Sequence, residues 1–209
     1  MHELCSKARY YRMSGTNTER DFVECPSQIL ENWCFEEQVL NKISKHYKNG
    51  EPLPKDLVQK IIAAKNVGQA LFNRRQLFFG LFDMFVHTSR SIVNTNEHWP
   101  RLKQELMKID CPPNANGAGS FGHLVGGYSA GYYGYLWSEV FAADMFCRWK
   151  NSPAGVFDPA LGRKYRSLVL ARGGTVDGGD MLREFLGREP SQEAFLVHIG
   201  LLKETGEMR

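Results

Sequence analysis

No apolar run in the 209 residues approaches the ~20 needed to cross a bilayer, so the sequence holds no membrane-spanning helix. Charge of one sign is scarce as well. Twenty-six basic residues face 23 acidic ones for a net charge of +3, and the basic residues are scattered, which argues against a nucleic-acid or anionic-membrane partner. Five cysteines (Cys5, Cys25, Cys34, Cys111 and Cys147) are an odd number without CxxC spacing. They suit unpaired thiols in a reducing compartment, by default the cytoplasm, better than a disulfide framework. Met1 and the residues after it lack the charged and apolar regions of a signal peptide. A phosphate loop of the G-x-x-x-x-G-K-[ST] kind is missing. His2-Glu3 opens like the helical HExxH zinc motif, in which two histidines four apart face one ion, but position 6 is Ser6. His46, His87, His98 and His198 stand singly on helical patterns and read as surface or packing histidines.

Alternating strand patterns of useful length and internal repeats are also lacking, and the expected fold class is all-α, a multi-helix array with one Gly/Tyr-rich loop. Helices are expected at 3–12, then at 17–33 behind a Thr16/Glu19 capping box, with a kink near Cys25 caused by Pro26. Further helices are expected at 36–48 and 94–110, with Pro100 in the first turn of the latter. Between them an apolar stripe from Leu57 through Phe82 to Val86 reads as one long core element. Residues 111–120 have no apolar periodicity and read as a loop. An apolar helix should run to about Trp149, followed by short closing helices at 158–171, 178–188 and 191–201.

The most unusual stretch is Phe121 to Trp137, where five glycines and four tyrosines surround His123. Tyr128, Tyr132 and Tyr135 fall at i, i+4 and i+7, so a helix begun near Ser129 would carry the last two on one face with Tyr128 at its entry. Such a row can donate hydrogen bonds to a bound chain or an oxyanion. The same spacing suits an aromatic helix buried in a core, and spacing alone does not separate the two.

Two long runs carry a resemblance. Met-Ser-Gly-Thr-Asn-Thr-Glu-Arg-Asp-Phe-Val-Glu-Cys-Pro-Ser-Gln-Ile-Leu-Glu-Asn-Trp (13–33) and Phe-Gly-His-Leu-Val-Gly-Gly-Tyr-Ser-Ala-Gly-Tyr-Tyr-Gly-Tyr-Leu-Trp-Ser-Glu-Val (121–140) closely resemble the thimet oligopeptidase and neurolysin family of zinc oligopeptidases. The runs 45–47, 162–170 and 181–188 support it, and the resemblance covers the whole chain.

The resemblance implies that residues 1–209 are the C-terminal portion of a peptidase catalytic domain that cleaves short peptides, with the HExxH helix expected upstream of Met1. One zinc ion would be the cofactor, and the missing N-terminal part of the same enzyme a required partner. Glu24 matches the family's glutamate zinc ligand. His123, Tyr132 and Tyr135 match residues that bind substrate and stabilise the tetrahedral intermediate, with Tyr128, Gly126 and Gly127 in the substrate-binding loop. Asp21 would orient a ligand histidine; its placement near a helix start also suits the helix dipole. The chain alone would be inactive, and a full-length relative would be cytoplasmic or mitochondrial. The alternative is a non-catalytic fragment serving as a binding or regulatory module. Ser129 and Gly131 depart from the family's Asp and Gln, and 111–120 is richer in Gly and Asn, changes expected to affect loop flexibility and specificity.

Overall fold

A computed structural model describes residues 1–203. Among them the regular structure is helical and no strand is present, as the sequence pattern required. No helix among these residues is long and apolar enough to cross a membrane. The α-helices are α1 (His2–Cys5), α2 (Cys25–Glu31), α3 (Glu37–Ile43), α4 (Lys55–Ala64), α5 (Gln69–Thr88), α6 (Thr95–Met107), α7 (Gly134–Lys150), α8 (Pro159–Tyr165), α9 (Gly178–Leu186) and α10 (Glu193–His198). They fall into two compact units, one of Met1–Val67 with Ser138–Arg209 and one of Gly68–Trp137.

Several expected helices are shorter, each for a local reason. The expected 3–12 helix stops at Cys5, because Ser6 is extended and the Lys7 N–H donates to the carbonyl of Ala171. Thr16 does not cap a helix; its N–H and hydroxyl both donate to Glu3, and the chain stays in turns until Cys25. Pro26 therefore starts α2 rather than kinking a longer helix, a position where its missing N–H costs nothing. Ser44 ends α3 in an extended conformation and accepts the Leu53 N–H on its hydroxyl. The long apolar element is two helices, parted at Gly68, whose φ of 78° is left-handed and comes without the penalty other residues would meet. Pro100 lies inside α6 rather than in its first turn, and Lys108 at φ 58° closes that helix. The 158–171 segment is α8 followed by a π-helical turn, Arg166–Leu170.

In the first unit Phe22, Cys25 and Ile29 pack with Met145, Phe146 and Trp149 of α7 and with Met181, Leu182 and Phe185 of α9. Trp33 joins them edge-on to Phe146 and Trp149, and its indole N–H donates to the Val156 carbonyl at 2.8 Å. The buried Asp144 carboxylate is held by the Arg188 guanidinium and the Ser191 N–H, tying α7 to the α9–α10 connection. In the second unit Phe78 and Phe82 of α5 and Trp99 of α6 form the centre, with Trp99 edge-on to both phenylalanines. Burying each such ring contributes roughly 1.5–3 kcal/mol. Gly117 lies so close to Trp99 that a Cβ there would meet the indole nitrogen at 2.0 Å, so this loop position needs glycine for the ring to seat. The 111–120 loop is thus anchored at its end, where Ala118–Ser120 forms a 3-10 turn and Ala118 is buried.

Candidate functional site

The tyrosines come together without the helix that their spacing suggested. Residues 126–133 run in turns, and α7 begins only at Gly134. His123 stands on a 3-10 turn, Gly122–Val125, and its ring lies 5.4 Å from Tyr128, 5.4 Å from Tyr132 and 5.8 Å from Tyr135. Tyr128 stacks on Tyr135 at 5.0 Å, and Tyr132 lies 5.1 Å from Tyr135. One imidazole and three phenols therefore form a single group, with His123 exposed, Tyr128 and Tyr135 half-buried and Tyr132 buried.

The turn that makes this possible is fastened at several points. The Ser129 hydroxyl, one of the departures from the family pattern, hydrogen-bonds to the carbonyls of Leu124 and Gly126. The Gly131 N–H donates to the Tyr128 carbonyl at 2.8 Å. Gly126 and Gly127 are exposed, and a Cβ on Gly126 would meet the Gly122 carbonyl oxygen at 3.1 Å.

The strongest fastening comes from α5. Asp83 is fully buried, and its carboxylate accepts the N–H of Ala130 at 3.1 Å and that of Tyr132 at 3.0 Å. Ala130 sits at φ 55°, a left-handed conformation that costs a residue with a side chain roughly 1–2 kcal/mol, and Asp83 holds it there. His87, one turn later, brings Nδ1 within 3.0 Å of Oδ1 of Asp83 and 2.9 Å of its carbonyl. Both neighbours are acceptors, so Nδ1 carries the hydrogen. The sequence pattern offers His87 only as a surface or packing histidine and gives Asp83 no role. The signal was there: an Asp and a His four apart share one helix face.

Tyr132 packs edge-on against Phe79 and Phe121. Burial raises its pKa, and nearby Tyr135 adds to the rise, against Arg75 and a hydrogen bond with Gln76. The phenol, protonated at neutral pH even at its ordinary value, is a hydrogen-bond donor there, and the shift extends this to higher pH. Protonated phenols around an imidazole can receive a carbonyl oxygen as it gathers negative charge.

Glu24 and Asp21 belong to the first unit. Glu24 is half-buried at the residue preceding α2, and the Asp21 carbonyl accepts the Ser138 hydroxyl at 2.8 Å. No group of three His, Cys, Asp or Glu side chains among the described residues is placed to hold a metal ion. A zinc site normally takes three or four protein ligands, so the described residues do not complete one by themselves.

The model of peptidase family M3 matches residues 1–201. The chain is 45% identical over 207 residues to saccharolysin of Saccharomyces cerevisiae, covering 96% of the chain and 29% of that protein. Against the thimet-like oligopeptidase of Dictyostelium discoideum it is 43% identical over 205 residues, covering 96% and 30%. Oligopeptidase A of Escherichia coli is 39% identical over 206 residues, again covering 96% and 30%. The chain thus spans about 30% of the length of the curated relatives it matches.

Proposed function

The chain belongs to peptidase family M3, and on that premise we propose that it supplies the substrate and oxyanion face of a metallo-oligopeptidase that cleaves short peptides, together with one zinc ligand, Glu24. The observation that carries the reading is the ring group of His123, Tyr128, Tyr132 and Tyr135, three phenols gathered around one imidazole.

In this reading the peptide backbone lies along the glycine turn at Gly126 and Gly127, where no side chain stands in its way. His123 and Tyr128 orient the peptide. Tyr132 and Tyr135 donate to the carbonyl oxygen of the bond being cut, a contact that strengthens as that oxygen becomes an oxyanion. Asp83 acts through the backbone and fixes where the Tyr132 ring stands. Glu24 would help hold zinc, which supplies the Lewis acid and activated water of such an enzyme; the remaining ligands and the general base would come from a segment outside this chain. Asp21 would orient one of those ligands.

The 209-residue chain should show background peptidase activity, and extending it with the upstream segment that carries the HExxH motif should restore cleavage. In the extended enzyme Glu24→Gln should lose bound zinc as well as rate, because a neutral amide is a poor zinc ligand. Chelator-sensitive cleavage by the unextended chain, or full zinc content after Glu24→Gln, overturns the assignment. An extended, zinc-loaded protein that binds peptides without cutting them would make the chain part of a binding module instead.

A further inference from the structure

Next to the tyrosine group, within the second unit, lies a cavity of about 570 Å³. Phe72 and Phe79 of α5, Trp99 of α6 and Phe121 give it apolar walls. Its charged lining residues are Arg75 and Lys103, both cations. Neither takes part in an ion pair among the described residues. The Arg75 guanidinium lies over the Phe79 ring at 5.2 Å, and Lys103 is half-buried.

Phe121 is a wall shared by cavity and site. It stacks on Phe79 at 4.6 Å and also meets Tyr132 at 5.1 Å and His123 at 6.0 Å. Whatever fills the cavity therefore lies one ring away from the groups proposed to handle the scissile carbonyl. The volume falls in the range of small-ligand sites and holds one or two side chains. Two cations without a carboxylate partner repel a cationic ligand and favour an anionic one, and aromatic walls favour an apolar body. An α-carboxylate beside a bulky apolar side chain combines both.

We propose that this cavity takes the C-terminal residue of a short peptide, its apolar side chain between Phe72, Phe79 and Trp99 and its free carboxylate on Arg75 and Lys103. This rests on the reading of the tyrosine face as a peptide site and adds to it a substrate class: peptides with a free carboxyl end and an apolar last residue. A carboxyl-terminal amide would lose the charge, and a chain continuing past the cavity would lack the terminal group.

The test is binding to the 209-residue chain, followed by NMR through the Trp99 indole N–H, which Trp99→Phe assigns. The probes are acetyl-Gly-Phe-Leu with a free carboxylate, the same peptide as its amide, and decanoate. The free acid should shift the Trp99 signal and bind about 10-fold or more tightly than the amide, the value of one hydrogen bond to a charged group. Arg75→Gln or Lys103→Gln, each with an otherwise preserved spectrum, should bring the acid down towards the amide. Equal binding of acid and amide overturns the proposal, and so does an acid affinity untouched by both substitutions. Decanoate binding as tightly as the peptide, with the same dependence on the two cations, would overturn the peptide occupant in favour of a fatty acid. The assay reads binding rather than cleavage, so its failure leaves the peptidase reading standing, and an inactive extended enzyme would leave this result standing.

Discussion

Asp83→Asn should loosen the tyrosine turn while leaving the helices in place. The native carboxylate is fully buried and uses one oxygen for the Ala130 N–H and the other for the Tyr132 N–H, at 3.1 and 3.0 Å. Asparagine keeps one acceptor and turns the other position into an amide N–H₂, which faces a backbone N–H that it cannot satisfy. It also removes the charge opposite His87, whose Nδ1 lies 3.0 Å from Oδ1. A hydrogen bond to a charged group contributes about 1.5–3 kcal/mol, so losing one and weakening the other should cost about 3 kcal/mol locally. At 1.36 kcal/mol per factor of ten, this corresponds to roughly 100-fold faster hydrogen exchange at those two amides. Native-state exchange followed by NMR reads them directly, with the amides of α9 in the first unit as an internal control. In the extended enzyme kcat should fall more than KM rises, since the turn places Tyr132 for the transition state. Unchanged protection at Ala130 and Tyr132 in a folded Asp83→Asn protein would refute the argument.

In a zinc-loaded, extended enzyme Tyr135→Phe keeps the ring contacts with His123, Tyr128 and Tyr132. Loss of the hydroxyl alone should lower kcat roughly 10²–10³-fold, and an unchanged kcat removes Tyr135 from the oxyanion role. A second expectation concerns pH. Burial, with the Glu31 carboxylate, pushes the Glu139 carboxyl from its ordinary 4.5 up to about 7 against the pull of Lys65. Over that interval the folded protein keeps a proton that the unfolded chain has released, so this group lowers stability as pH rises. Burial, then Lys65 and Lys150, pulls the His198 imidazole from 6.5 down to about 4, so this group raises stability as pH rises across its own interval. The Lys65 ammonium stands 3.0 Å from His198 Nδ1 and donates to the neutral ring. The two effects offset one another in the intact protein. Urea midpoints against pH should rise between pH 4 and 6.5 in Glu139→Gln and fall between pH 4.5 and 7 in His198→Asn. Identical profiles for the two variants would refute the opposition.

The helical class, the apolar faces of α5, α6 and α7, and the aromatic group were legible because each depends on residue type at short spacing. The helix starts were less so, since they depended on partners far along the chain. Thr16 and Glu19 have capping spacing, yet the Thr16 N–H and hydroxyl go to Glu3, thirteen residues earlier. Pro26 was legible as an interruption, but whether it kinks a helix or opens one was decided by the turns before Cys25. Gly68 is the converse case: Lys65-Asn66-Val67-Gly68 carries its own stop signal, a glycine suited to left-handed backbone, which the apolar stripe from Leu57 to Val86 masked.

The tyrosine stretch shows how such distant partners bear on chemistry. Spacing put Tyr132 and Tyr135 on one helical face, and their rings do meet at 5.1 Å, but through a turn whose amides point at Asp83, 47 and 49 residues away. A helix begun at Ser129 would have placed the Ala130 and Tyr132 N–H groups in its first turn, where helices leave donors unsatisfied. The buried carboxylate satisfies those same donors more strongly than water would, because the bond is charge-assisted and shielded from solvent. The helix start consequently moves to Gly134 and leaves eight residues, 126–133, in turns where His123 can stand among three phenols. The residue that shapes the site thus contributes no atom to the ring group itself. Its sequence signal is an Asp–His pair one helical turn apart, on the helix that also carries Arg75 and Gln76 towards Tyr132.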